Sequence, residues 1–463
     1  MTRKVALLSW FAILLSLFSI TGTAQTFVNL VDFDSKNGAN PQFLALAQGT
    51  DGNYYGNTTL GGDFNQGSIF QLKPDGTLST LYSFSAGDDG AVPHGTLLLN
   101  VDGDFYGTTE YNGSNHCGTI FKVTQTGKLT TLYSFSGSDG NGPQDGLIRG
   151  TDGYLYGVTQ LGGAYDGGTI FKISASGVLV TLHDFNPASE GVNPLGALLQ
   201  ATDGSFYGAT QFGGAHNLGT IYRITLKGKL TTIYEFSGPD GGQPFSQLIQ
   251  AVDGNLYGTT NIGGAYNGGT VFRISPSGRL SSIYSFCALQ DCADGAFPIG
   301  ALIQATDLNL YGTCANLIHG LYAHGSVFAL TPAGVLKTLH SFDITDGADP
   351  HGGLLQATSG IFYGNTFVGG ANKLGTLFSL DVGLGPFVTL PINYGKVGQS
   401  KGILGQGFTG TISVFFNAVP AKFWIRSDTL LIATVPAGAT TGGVTVVTPN
   451  GTLNSSRPFV VLH

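Results

Sequence analysis

A Tyr-Gly pair recurs along the chain, with its glycine at Gly56, Gly107, Gly157, Gly208, Gly258, Gly312 and Gly364. The intervals are 51, 50, 51, 50, 54 and 52 residues. A fixed period of this length confines a chain to repeat architectures, because each unit buries its apolar face against the next. The fifth unit shows the pattern most fully, LIQAVDGNLYGTTNIGGAYNGGTVFRISPSGRLSSIYSF over residues 248–286. Four short apolar runs, 248–252, 255–260, 270–275 and 280–286, are separated by Asp253-Gly254, a Gly-Gly-Ala loop and Pro276-Ser277-Gly278. Each run has strand length and is rich in β-branched and aromatic residues. Asp-Gly suits a tight two-residue hairpin. No run has the length or the 3.6 period of a helix.

Four antiparallel strands per unit of about 50 residues is the signature of a β-propeller blade, and seven units predict seven blades. A β-solenoid is the alternative, but it favours shorter coils. The outer-strand motif appears as LSTLYSF (78–84), LTTLYSF (129–135), LVTLHDF (179–185), LTTIYEF (230–236), LSSIYSF (280–286) and LKTLHSF (336–342). The seventh unit ends at TLFSL (376–380) with no such strand after it. The missing copy stands before the first unit, as FVNLVDF (27–33), so an N-terminal strand is expected to close the last blade.

Composition agrees with an all-β chain. Of 463 residues 73 are glycine, 42% are hydrophobic and only 10% charged, which excludes intrinsic disorder. The glycines follow no three-residue period, which excludes collagen. Residues 1–24 read as a secretory signal peptide: Arg3 and Lys4, an apolar run over 5–20, then Gly22-Thr23-Ala24 before the cleavage point. No second apolar stretch has spanning length, so no stable membrane span is expected after cleavage, and the mature protein is expected to be secreted, periplasmic or on the cell surface. Removing Arg3 and Lys4 leaves 18 basic against 28 acidic residues, a balance of −10. With no basic run, nucleic acid is not an expected partner.

The repeats resemble a bacterial family, the choice-of-anchor tandem repeat (GloVer) proteins, over residues 26–381. The carriers are D-G-x-x-Y-G-T-T, then G-G, then G-T-V/I-F-K/R-I, then G-x-L-T-T-L-Y-S-F. Units two to five match well; units six and seven carry Asp307-Leu308 and Ser359-Gly360 in place of Asp-Gly. The resemblance implies export and variable C-terminal modules, and it implies no known activity.

Residues 25–382 are therefore expected to form the propeller. Residues 383–386 read as a linker, and the character of the chain changes over 387–463. Short alternating strands bounded by Gly, Pro and Asn predict a small β-sandwich there. The segment resembles an IPT/TIG immunoglobulin-like domain through Gly405, Gly407, Phe408, residues 414–417 (VFFN), 433–436 (ATVP) and 443–448. That resemblance suggests an extracellular spacer or adhesion module. Its basic residues, Lys396, Lys401, Lys422, Arg426 and Arg457, are too sparse to bind DNA.

Antiparallel strands send alternate connections to opposite faces of such a ring. One face is nearly uniform, built of Asp-Gly and Ser-x-Ser-Gly turns. The other carries the variable loops, where a site specific to this chain is expected. The residue after the proline of each loop between sheets should reach the central channel: Gln42, His94, Gln144, Leu195, Phe245, Ile299 and His351. Nearby loops add Glu110, His116, Gln160, Gln211 and His216. His94, Glu110 and His351, with Gln144 and Gln42, are the candidate ligand-binding set, since two histidines and a carboxylate can do acid–base work. The competing interpretation is ordinary polar lining of a solvated face.

No P-loop, Rossmann, G-x-S-x-G or H-E-x-x-H fingerprint is present, so no catalytic residue is assigned and no cofactor is expected. Loop aspartates at Asp88, Asp89, Asp139, Asp240, Asp291, Asp294, Asp346 and Asp349 could in principle hold Ca²⁺, but they lack calcium-loop spacing and read better as turn formers. Of the four cysteines, Cys287, Cys292 and Cys314 should share one face, with Cys287–Cys292 favoured by its short loop; Cys117 should lie too far round the ring. The expected function is an exported scaffold engaging an extracellular glycan or a cell-surface protein. The alternative is a secreted lyase or hydrolase with its site at the channel mouth.

Overall fold

The computed structural model describes residues 25–100, 102–315 and 324–462. The expected leader over 1–24 lies outside the described residues. Among the described residues the fold is all-β, with one 3₁₀ turn at Gln290–Cys292. Among the described residues no helix is long and apolar enough to cross a membrane.

Each of the first six repeats folds into one four-stranded antiparallel sheet whose strands follow one another in chain order, and the seventh contributes three strands to a sheet of the same kind. In the fifth the strands are Ile249–Gln250, Leu256–Thr260, Thr270–Ile274 and Leu280–Ser285. The innermost strand is far shorter than the run at 248–252 suggests. Only Ile249 and Gln250 pair, with Tyr257 and Leu256. Beyond them Ala251 closes the hairpin turn by donating to Asn255 O, and Val252 donates its N–H to Gln304 Oε1 of the next sheet. A backbone donor spent on a neighbouring sheet cannot extend its own ladder.

The glycine of Tyr-Gly has a packing cause. It sits directly opposite the central aromatic of the third strand, as in Gly258 opposite Phe272 and Gly208 opposite Tyr222. A Cβ on Gly258 would stand 2.6 Å from Phe272 Cζ and 2.7 Å from Leu248 Cδ2. The preceding tyrosine bonds to the turn four residues earlier: Tyr207 Oη donates to Asp203 Oδ2 at 2.8 Å, while Asp203 Oδ1 accepts the Ser205 N–H. One carboxylate thus fixes both the Asp-Gly turn and the strand after it.

The sheets succeed one another in a propeller-like ring. Tyr55 stacks near Phe105 of the second sheet at 4.4 Å, Tyr156 near Phe206 of the fourth at 4.2 Å, and Tyr311 near Phe362 of the seventh at 4.4 Å. The seventh packs in turn on the first, where Tyr54 and Tyr363 lie 4.2 Å apart. A glutamine ending most inner strands reaches back one repeat: Gln200 Oε1 accepts Thr151 N–H, Gln250 that of Thr202, and Gln48 that of Thr358 across the closure. Thr26–Asp32 supplies the outer strand of the seventh sheet, pairing from Thr26–Asp381 to Asp32–Thr376.

Residues beyond the ring form their own core around Val388, Ile403, Phe408, Val414, Phe416, Leu431, Val446 and Phe459. One sheet orders Ser400–Leu404, Leu430–Thr434 and Phe423–Ile425; another orders Val419–Pro420, Ser413–Phe416, Val444–Thr448 and Gly451–Asn454. This module lies against the face of Asp-Gly turns. Leu404 joins the cluster of Ala47 and Leu99, and Tyr394 Oη donates to Gly150 O at 2.6 Å.

Candidate functional site

On the opposite face, prolines steer the loops inward. Each lies against the glycine that opens the third strand of the preceding sheet, as Pro143 does on Gly118 and Pro41, at the closure, on Gly375. Those glycines hold φ of 91° and 95°, a conformation a side chain would strain. Pinned there, the residues after the proline turn toward the axis. Gln144, Leu195, Phe245, Ile299 and His351 accordingly line one cavity, together with Phe43, Asp145 and Ser246. Its volume is about 40 Å³, room for a few water molecules and no more.

Gln42 does not line this cavity. Its neighbour Phe43 adopts φ of 51° and turns its ring over the axis instead. The Phe43 ring centroid lies 5.7 Å from His351, 6.0 Å from His94 and 6.5 Å from Phe245. The space between these two histidines of the candidate ligand-binding set is filled by the chain's own side chain. A signal for this was available. The second residue after the proline is Gly95, Asp145, Gly196, Ser246, Gly300 or Gly352 in the other repeats, and only the first carries an aromatic.

His94 and Glu110 do meet. His94 Nε2 stands 3.0 Å from Glu110 Oε2, and Gln144 Nε2 donates to Glu110 Oε1 at 2.6 Å. Both His94 and Glu110 are buried, at 4% and 8% exposure. Burial pushes the Glu110 carboxyl up, but the hydrogen bond and charge of His94, with Tyr111 and Gln144, outweigh it and hold the group below its ordinary value. Asp145 was not among the expected residues. Burial raises its carboxyl to about 6, against the opposing pull of N–H groups from Ala197 at 2.7 Å and Gly146 at 2.6 Å and the charge of His94. His351 stacks on Phe367 at 4.8 Å, with Nε2 3.2 Å from Asp349 Oδ1 but no aligned hydrogen bond at either ring nitrogen. His116 stays on the rim, exposed beside Asn112.

The loop aspartates spend their oxygens locally. Asp89 accepts Tyr82 Oη at 3.0 Å and Ser85 N–H at 2.7 Å; Asp294 accepts Tyr284 Oη at 2.9 Å and the N–H groups of Ala288 and Leu289. Asp240 takes Tyr234 Oη and Ser237 N–H in the same way. Among the described residues no three His, Cys, Asp or Glu side chains converge as metal ligands. Cys287 and Cys292 are bonded to each other, with Cα atoms 4.0 Å apart, while Cys314 is a buried free thiol and Cys117 a partly exposed one.

The Gloeobacter/Verrucomicrobia repeat family matches residues 16–119, 95–316 and 248–411, well over half of the chain. No curated protein sequence matches it. Among solved structures, the extracellular domain assigned to a hybrid two component system of B. thetaiotaomicron aligns with TM-score 0.52 and 12% identity, over 96% of this chain and 60% of that one. The domain assigned to a one component system of the same organism gives 0.50 and 13%, over 95% and 57%. The periplasmic gluconolactonase of Pseudomonas aeruginosa gives 0.45 and 16%, over 75% and 96%. At these identities the likeness concerns fold alone.

Proposed function

The chain belongs to the Gloeobacter/Verrucomicrobia repeat family, and on that premise we propose that it is an exported binding or structural scaffold. In this reading residues 1–24 are the signal peptide, 25–382 a seven-bladed β-propeller, 383–386 a linker and 387–463 an immunoglobulin-like module of the IPT/TIG kind. Four-stranded sheets in ring contact, with an N-terminal outer strand in the last, support the blade assignment. The apolar leader and the Cys287–Cys292 bond suit an oxidising, secreted or periplasmic compartment. The similarly folded two component domain is itself extracellular.

One observation carries the choice of scaffold over enzyme. Phe43 stacks across His94 and His351 and leaves a cavity of about 40 Å³, where a small-molecule site needs several hundred. A lyase or hydrolase at this mouth is the second reading, favoured by the meeting of His94, Glu110 and Gln144 and by the displaced titration of Asp145. The test is to expose purified protein to an array of glycans and surface proteins, and in parallel to follow turnover of sugar lactones and uronic-acid glycans. Saturable binding without turnover is expected. Turnover that disappears in the His94→Ala, His351→Ala double variant would replace the scaffold reading with the enzymatic one.

A further inference from the structure

The C-terminal module covers the other mouth of the ring incompletely. Between them lies a hollow of about 350 Å³, floored by inner-strand residues Leu98, Leu99, Ile303 and Leu355 and roofed by Phe387 and Pro391. Leu99 is a departure from the repeat: its counterparts in the first, fourth, fifth, sixth and seventh units are Gln48, Gln200, Gln250, Gln304 and Gln356. The glutamines that do border the hollow are already committed at both ends of their amides. Gln48 serves Thr358, and Gln356 serves Thr306.

The remaining strong polar group is Arg457. It reaches both this hollow and the cleft adjoining it, and neither is lined by an aspartate or glutamate. Among the described residues its guanidinium makes no ion pair and no hydrogen bond. Arg457 is exposed at the edge of the hollow, a cation with no carboxylate beside it in either lining. A guanidinium offers a planar fork that matches a carboxylate in two parallel hydrogen bonds.

We propose that the hollow between ring and C-terminal module binds a small organic anion, a carboxylate on an apolar chain or ring. The carboxylate sits on Arg457 and the apolar body lies against Leu99, Ile303, Leu355 and Phe387. The size of the hollow falls in the range of small-molecule sites. This site is on the face of uniform turns, away from His94 and His351, and does not depend on either reading of the channel mouth.

The probe is octanoate, titrated calorimetrically into the chain over residues 25–463 at pH 7. Saturable one-to-one binding is expected, at least tenfold tighter than for octanol, which keeps the body and lacks the charge, and tighter than for acetate, which keeps the charge and lacks the body. Arg457→Gln should weaken octanoate at least tenfold, and Arg457→Lys should fall between. The His94→Ala, His351→Ala variant should bind octanoate unchanged, which separates this site from the other mouth. Circular dichroism of each variant guards against loss of fold. Absence of octanoate binding, equal affinity for octanol, or full affinity in a folded Arg457→Gln protein would each overturn the proposal.

Discussion

The slot opposite each Tyr-Gly glycine holds Phe70, Phe121, Phe171, Phe272, Phe328 or Phe378, but Tyr222 in the fourth sheet. The Tyr222 side chain is fully buried and its hydroxyl has no hydrogen-bond partner. Stripping a hydroxyl of water without replacement costs about 1–3 kcal/mol. Tyr222→Phe removes that cost and leaves a void of roughly 15 Å³, worth about 0.4 kcal/mol at ~24 cal/mol per Å³. The variant should therefore be more stable by about 1–2 kcal/mol. At about 2.1 cal/mol/K per residue, a cooperative unit of this length has an unfolding entropy near 0.9 kcal/mol/K, so the Tm should rise by only about 1–2 °C. Chemical denaturation followed by circular dichroism is the better assay, read as a higher midpoint at unchanged slope. The reciprocal change, Phe171→Tyr, should lower the midpoint by a similar amount. A Tyr222→Phe protein less stable than the parent would refute the reasoning, and would mean that the hydroxyl is satisfied, as by a buried water.

Deleting residues 25–34 removes the ladder to Thr376–Asp381 and the buried Phe33, and should cost about 5 kcal/mol or more; an unchanged thermal melt would show that the ring does not need its closing strand. Asp145 titrates near 6 when folded against about 3.9 unfolded, so the folded state binds the proton more tightly. Its contribution is fully present below about pH 4 and lost as pH rises to about 6, amounting to roughly 3 kcal/mol. Asp145→Asn should flatten that part of the stability profile, and a parallel profile would contradict the assignment. In native alkylation Cys117, partly exposed, should react before the fully buried Cys314, with Cys287 and Cys292 protected by their bond; peptide mapping that joined Cys117 to Cys314 would overturn the sheet assignment.

Local sequence decided most of the fold because its signals are local in cause. Asp203 closes its own turn and holds Tyr207 four residues on, so the spacing D-G-x-x-Y already contains the structure it makes. Gly258 is small because Phe272 must stand opposite it, and the regular recurrence of both announces the sheet. Even the N-terminal outer strand was legible, since one copy of the motif was missing at one end and present at the other. What the tertiary structure alone decided depends on residues brought together from distant repeats. In the third to seventh sheets the inner strand stops at two residues where a following N–H, as that of Val252, is taken by a glutamine from the next sheet. The channel mouth closes because Phe43, from the first repeat, crosses the axis to His94, Phe245 and His351. Arg457, one sparse cation in the linear chain, comes to border a hollow with Leu99, Ile303 and Leu355 only when the C-terminal module packs on the turn face. Periodicity records what each repeat does for itself; it carries no mark of which side chains the closed ring points at one another.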